Sequence, residues 1–306
     1  MRRRKYLKSI GAGAAIAGLA GCSGGGGGSD TATGSDDTAT EDEADTMTST
    51  ETEAATEGAD NPYDIEGGVV TIGSDIPYNP FEYRTEDGEL TGFDVDIAEA
   101  VFVDQLGLEY EFQTSAFDTI IASLNNGNFR VIMSAMTIND ERDEKVNFSD
   151  PYFTAYQTVL VRSDSDITAR EDLRGVAVGV QKGTTGETAA EELKNEFDGE
   201  LEIQSYDLVA GAFDALLNGQ VVAVISDNAP SAEFANQQDN VRFLEGDGEA
   251  AEQGENAPSY LTLTVEDYGI AFREDDEEFL EAVNEALAAI RDSGRYDEIY
   301  GEYFAG

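Results

Sequence analysis

The chain has 306 residues, 64 of them acidic and 18 basic, for a formal net charge of −46. A field of that sign repels nucleic acid and anionic membrane surfaces, and it strains a compact state unless salt screens it. Histidine is absent and cysteine occurs once, at Cys22. Those two facts exclude Ser-His-Asp and Cys-His nucleophilic sites, histidine metal sites and any intrachain disulfide.

The acidity runs through every predicted helix, as in a halophile protein with acids spread over its surface. The alternative is a polyanionic segment for a cationic partner. No cofactor, metal or nucleic-acid partner is expected.

The N-terminus reads as delivery rather than fold. Five basic residues fall in the first eight positions (Arg2, Arg3, Arg4, Lys5, Lys8). Residues 10–20 are small and apolar, too few to span a bilayer. Leu19-Ala20-Gly21-Cys22 then matches a lipobox, in which the cysteine becomes the lipidated mature terminus. The arginine run looks like a twin-arginine export signal. Residues 1–22 are therefore expected to be an export signal, and 23–62 a disordered tether rich in Gly, Thr and acids that spans about 35 Å on average. Such a chain is held on the extracellular face of the membrane by lipid alone.

From residue 69 onward, strands and helices alternate. Residues 69–73 read as a strand. Helical spacing covers 94–106, with Asp94 as a candidate cap. A strand at 110–113, a helix at 117–124 and a buried strand at 131–134 follow. The pattern restarts with strands at 158–161 and 176–180, a helix at 188–197, a strand at 203–206, a helix at 210–217 and a strand at 221–226. A strand at 269–272 and a long amphipathic helix at 276–293 close the chain. This alternation argues for an α/β protein with parallel strands and helices on both sheet faces.

Chemistry concentrates at strand ends. The apolar run Val131-Ile132-Met133 gives way to Ser134-Ala135-Met136-Thr137, and Arg142 follows. In a chain this poor in positive charge, an arginine there has a simple use: its guanidinium forks onto a carboxylate, with hydroxyls and backbone N–H groups completing the cradle. The alternative is a surface ion pair with Asp140 or Glu141, which is worth little. Gly183-Thr184-Thr185-Gly186 opens a helix, where N–H groups and the dipole favour an anion. A threonine N-cap with a glycine turn looks much the same. Asp227 also sits at a strand end and can take a cation or cap the next helix. Asp75, Tyr78 and Phe117 complete the candidates, although Phe117 could equally be core. The sequon Asn147-Phe148-Ser149 reads as structural.

The stretch 134–152 resembles the signature of the family 3 extracellular solute-binding proteins, the amino-acid receptors of ABC importers. Further matches come in the expected order: Gly73–Glu82 across Ser-Asp-Ile-Pro-Tyr-Asn-Pro-Phe, Gly92-Phe93-Asp94-Val95-Asp96, Gly183-Thr184-Thr185-Gly186, Ile225-Ser226-Asp227, Tyr268-Gly269-Ile270-Ala271-Phe272, and Gly294-Arg295-Tyr296-Asp297-Glu298-Ile299-Tyr300. The resemblance implies a two-lobe periplasmic-binding-protein-like fold of type II, each lobe a mixed, mostly parallel sheet flanked by helices, with a hinge between lobes. It implies lobe 1 at 63–151 plus 269–306, lobe 2 at 152–268, and hinge segments at 152–157 and 265–268.

It further implies a monomeric receptor that closes on an amino acid and hands it to ABC permease subunits. Arg142 would clamp the α-carboxylate, helped by Ser134, Ala135, Thr137, Thr184 and Thr185. Asp227 would accept the α-ammonium. Asp75, Tyr78 and Phe117 would face the side chain, favouring a polar or cationic one. Binding rather than catalysis is expected. The alternatives are a dehydratase-like cleft enzyme using Asp75, Asp227 or Glu82 as acid or base, a sensor ectodomain, and an adhesive surface lipoprotein.

Overall fold

The computed structural model describes residues 62–304, all within one compact unit. The predicted export signal, Cys22 and the tether up to residue 61 lie outside the described residues. Among the described residues, no helix is long and apolar enough to cross a membrane.

The first lobe begins with β1 (Val69–Ser74), a short hairpin of β2 (Tyr83–Arg84) and β3 (Leu90–Thr91), and helix α1 (Phe93–Ala98). A π-helical stretch, Glu99–Gln105, continues α1. Then come β4 (Glu109–Thr114), α2 (Ile120–Asn125), β5 (Val131–Ile132), the single-turn α3 (Asp140–Asp143) and β6 (Asn147–Phe148). Helical spacing placed Asp94 as a cap. The N-cap is Gly92 instead, and the Asp94 carboxylate turns inward to accept from Ala135 N–H and from the Tyr152 hydroxyl.

The second lobe runs from β7 (Phe153–Arg162) through β8 (Ala177–Gln181), α4 (Thr185–Glu196), β9 (Glu202–Tyr206), α5 (Val209–Leu217), β10 (Ala223–Asp227), α6 (Asn228–Gln237), β11 (Val241–Phe243) and β12 (Thr262–Tyr268). The chain then re-enters the first lobe with β13 (Ala271–Phe272), α7 (Glu277–Asp292) and α8 (Arg295–Phe304).

Each lobe is built on one mixed sheet. The first has the order β4-β1-β5-β13-β6, with β4, β1 and β5 parallel and β13 antiparallel to both neighbours. The second has the order β11-β7-β10-β8-β9, with β12 also pairing β7. Its β10, β8 and β9 are parallel, while β7 runs against β10, β11 and β12. Alternation of strands and helices captures the parallel part only. The antiparallel strands arise where the chain crosses between lobes.

Apolar residues bury the faces of both sheets. Val70, Ile72, Val131 and Phe272 lie under α1 and α7 on one face of the first sheet, and Ile120, Leu124, Ile132 and Ala271 cover the other. Val178, Val180, Ala190 and Leu193 fill one side of the second sheet, and Leu160, Phe213, Leu216 and Val224 the other. The crossing strands lie side by side, with Phe153 opposite Tyr268 and Tyr156 opposite Val265.

Candidate functional site

The carboxyl ends of β1, β5, β8 and β10 converge on a small cavity between the lobes. Open α/β sheets bind ligands at such strand ends, where loops can aim side chains and N–H groups into a crevice. Asp75, Tyr78, Phe117, Ser134, Ala135, Thr137 and Arg142 line it from the first lobe, and Gln181, Thr184, Thr185 and Asp227 from the second. All ten sequence-predicted site residues are brought together there. Gln181 is an addition.

Arg142 owes its place to a local cap. The Asn139 side chain accepts from Arg142 N–H at 2.9 Å and so starts the α3 turn. Arg142 is buried, at 7 % exposure. It donates to the carbonyls of Thr137 at 2.7 Å and Gly183 at 3.3 Å, and it lies 5.2 Å from the centre of the Phe117 ring. The neighbouring acid Glu141 pairs with Lys145 instead. Among the described residues, no carboxylate comes within ion-pair distance of Arg142. Burial lowers its pKa, opposed by the nearby charges of Glu266 and Asp227. A buried cation without an anion in contact is costly unless something negative joins it.

Asp227, the last residue of β10 and 7 % exposed, lines the same cavity. It accepts hydrogen bonds from the Tyr78 hydroxyl and from Gln157 Nε2, the latter at 2.7 Å. Burial raises its pKa to about 7, and the Glu266 charge adds to the rise. Asp75, one residue past β1, is 5 % exposed and accepts from Gln181 Nε2 across the cleft. Burial raises it to about 6 against the Gln181 hydrogen bond.

The hydroxyls are all committed. Thr184 is the N-cap of α4: it accepts from Glu187 N–H and donates to the Gln181 carbonyl at 2.7 Å. Thr137 and Thr185 both donate to Glu266 Oε2, at 2.6 and 2.7 Å. Ser134 donates to Glu82 at 2.9 Å and accepts from Asp75 N–H at 2.9 Å. Ala135 has a left-handed backbone, φ 47°, and gives its N–H to Asp94 rather than to the cavity. Beneath it, Glu82 and Asp94 are fully buried. Burial and the Asp94 charge push Glu82 well above the usual carboxylate range.

Sequence reasoning missed Gln181, Gln157 and Glu266. Gln181 carried a faint signal, ending a strand two residues before Gly183. Glu266 carried none, being one acid among 64.

The profile of the bacterial extracellular solute-binding proteins, family 3, matches residues 70–306. A probable histidine-binding protein of Neisseria gonorrhoeae is 33 % identical over 229 residues, covering 74 % of this chain and 80 % of its own. The ABC transporter arginine-binding protein 1 of Escherichia coli (strain K12) is 33 % identical over 227 residues, covering 74 % of this chain and 87 % of its own. Among solved structures, an ancestral arginine-binding protein bound to arginine superposes with a TM-score of 0.68 at 36 % identity, over 78 % of this chain and 98 % of that one. With the family profile spanning both lobes and the cavity between them, the chain belongs to the bacterial extracellular solute-binding proteins, family 3.

Proposed function

We infer that this chain is a membrane-anchored extracellular receptor that closes its lobes on one amino acid, with a polar or cationic side chain, and delivers it to an ABC importer. One observation carries the reading. A buried guanidinium with no carboxylate in contact among the described residues, Arg142, shares one small cavity with the buried carboxyl groups of Asp227 and Asp75. That is a two-pole site with a further acid, the complement of a zwitterion that carries a donor on its side chain.

In this reading Arg142 takes the α-carboxylate, with Thr137, Thr184, Thr185 and the walls at Ser134 and Ala135. Asp227 takes the α-ammonium. Asp75 meets the side chain, flanked by Tyr78 and Phe117. The relatives named for arginine and histidine binding support the side-chain preference. Lobe 1 is taken as 63–151 plus 269–306 and lobe 2 as 152–268, and the paired segments 152–157 and 265–268 serve as the hinge. Cys22 carries the lipid, the leader is of twin-arginine type, and the acid-rich surface belongs to a halophile. The receptor works as a monomer and binds without turnover.

A melting-temperature screen of the amino acids at molar salt tests the reading, because a ligand that binds only the folded state raises the melting point. Basic amino acids or glutamine should give the largest rise, and a flat response to all amino acids would sink the proposal. Arg142→Ala should weaken the ligand so found by about a hundredfold or more, since it deletes charge-assisted hydrogen bonds in a buried site. Calorimetry reads that loss.

A further inference from the structure

Two carboxyl groups that the function above does not use lie beneath the site. Glu82 and Asp94 are fully buried, and neither lines the cavity. Among the described residues, no cation stands at ion-pair distance from either. Burying acids without a cation is costly, and well-packed apolar side chains often serve stability as well or better. Their hydrogen bonds show what they hold.

Glu82 holds one end of the site. Its Oε1 accepts from Ser74 Oγ at 3.1 Å and from Ser134 Oγ at 2.9 Å. Ser134 Oγ in turn accepts from the Asp75 backbone N–H at 2.9 Å. Glu82 also exchanges backbone hydrogen bonds with Tyr78, N–H to carbonyl in both directions, at 2.7 and 3.1 Å. One residue thus fixes Asp75, Tyr78 and Ser134 relative to one another. Its Oε2 is buried with no hydrogen-bond partner among the described residues. One oxygen that takes two hydroxyl protons, beside one that takes none, is the pattern of a neutral carboxylic acid, whose carbonyl oxygen accepts. Burial and the nearby Asp94 charge favour that form.

Asp94 holds the other end. Its Oδ2 accepts from Ala135 N–H at 2.9 Å, and its two oxygens face the Tyr152 hydroxyl at 2.9 and 3.0 Å. The left-handed backbone of Ala135, φ 47°, persists only where the surroundings impose it. That turn carries the chain from β5 to Thr137, whose carbonyl receives the Arg142 guanidinium. Apart from Tyr152, which precedes β7, all of these groups belong to the first lobe, so the arrangement does not depend on how the lobes stand.

We propose that Glu82 and Asp94 are positioning residues of the ligand site: Glu82 sets the Asp75–Ser134 end that reads the ligand's side chain, and Asp94 sets the Ala135 turn that presents Thr137 and Arg142 to its α-carboxylate. The ligand half of this rests on the amino-acid reading above, whereas the bracing of the two segments does not. If the pair were only part of the core, its loss would lower stability and cost no more affinity than any other core change.

The full chain is tested at molar potassium chloride and about pH 8, where Asp94, raised to about 6, is ionised. The variants are Glu82→Leu, Glu82→Gln and Asp94→Ala, with Leu124→Ala, on the other face of the sheet, as a core control. Glu82→Asp and Asp94→Asn serve if Glu82→Leu or Asp94→Ala does not fold. Without ligand, amide hydrogen exchange should quicken about tenfold or more at Asp75 in Glu82→Leu and at Ala135 in Asp94→Ala. Calorimetry should show arginine bound about tenfold or more weakly by both, and within about twofold of wild type by Glu82→Gln and Leu124→Ala. Glu82→Gln retains the acceptor that the two serines use, so it is the conservative rescue. Glu82→Leu should also lower the preference for arginine over citrulline, which has a similar shape without the charge that Asp75 meets, while Asp94→Ala weakens both alike. Unchanged exchange at both amides, affinity losses no larger than that of Leu124→Ala, or equal losses in Glu82→Gln and Glu82→Leu overturn the proposal. If exchange quickens as stated but the wild type binds no amino acid, the bracing stands and the amino-acid reading fails. If the wild type binds arginine and the variants match it, the reading stands and this proposal fails.

Discussion

Asp227 shows what burial does to a carboxylate here. Its pKa rises from 3.8 to about 7 because the charged form loses water, with the Glu266 charge adding to the rise. The sign of the effect on stability follows from proton counting. Below about 4 the group is protonated folded and unfolded, and above about 7 it is ionised in both. Between those values the folded state holds the proton more tightly, so stability falls as pH rises through that window. Asp75, raised to about 6, acts in the same direction. At constant molar salt, the ligand-free protein should lose several degrees of melting temperature between about pH 5 and 7.5, given about 1.4 kcal/mol per pKa unit and about 2–4 °C per kcal/mol. Asp227→Asn should flatten part of that slope, and calorimetric or optical melting checks it. An ammonium group favours the ionised form of Asp227. Amino-acid binding near pH 6 should therefore release a proton, seen as a binding heat that depends on the buffer's own ionisation heat.

At the scale of elements, the turn between β8 and α4 decides how closely the lobes approach. Gly183 has φ +75°, and a Cβ there would stand 2.8 Å from Asp118 Cα of the first lobe. Its carbonyl receives Arg142, and the adjacent Lys182 pairs with Asp118 at 2.6 Å. Only glycine allows both the left-handed backbone and this contact. Gly183→Ala should fold, because the turn is at the surface, but lose about 1 kcal/mol of stability. It should also resist full closure, with ligand affinity lower by about tenfold or more. Scattering with and without ligand measures the lost closure. The same turn explains why its function was only half legible. Gly183-Thr184-Thr185-Gly186 announces a helix start, and Thr184 does serve as the cap. Whether such a start faces a ligand, solvent or another lobe depends on what lies across from it, and local pattern carries no information on that.

At the scale of the whole molecule, charge dominates. With 64 acidic and 18 basic residues, self-repulsion opposes the compact state, and added salt relieves it by shrinking the screening length to about 3 Å at 1 M. The melting temperature should climb by about ten degrees or more between roughly 0.2 and 3 M potassium chloride, then level off. A flat or falling dependence would contradict the halophile reading. The cation–π contact of Arg142 with Phe117 and the buried aromatic cluster of Phe81, Phe93, Phe153 and Tyr268 should be far less salt-sensitive, being shielded from solvent.

The strand–helix alternation pointed to an α/β protein, and the ordered motifs carried the family resemblance that implied the two-lobe fold and the ten residues found lining the cavity, because both rest on residue type and local spacing. Tertiary structure decided the rest. It set Asp94 as a buried acceptor rather than a cap, supplied the antiparallel crossing strands, and gave Thr137 and Thr185 a common partner in Glu266. Those facts depend on which groups meet across long chain separations in a closed cleft, and an acid in so acidic a chain gives no sign in advance of what it will meet.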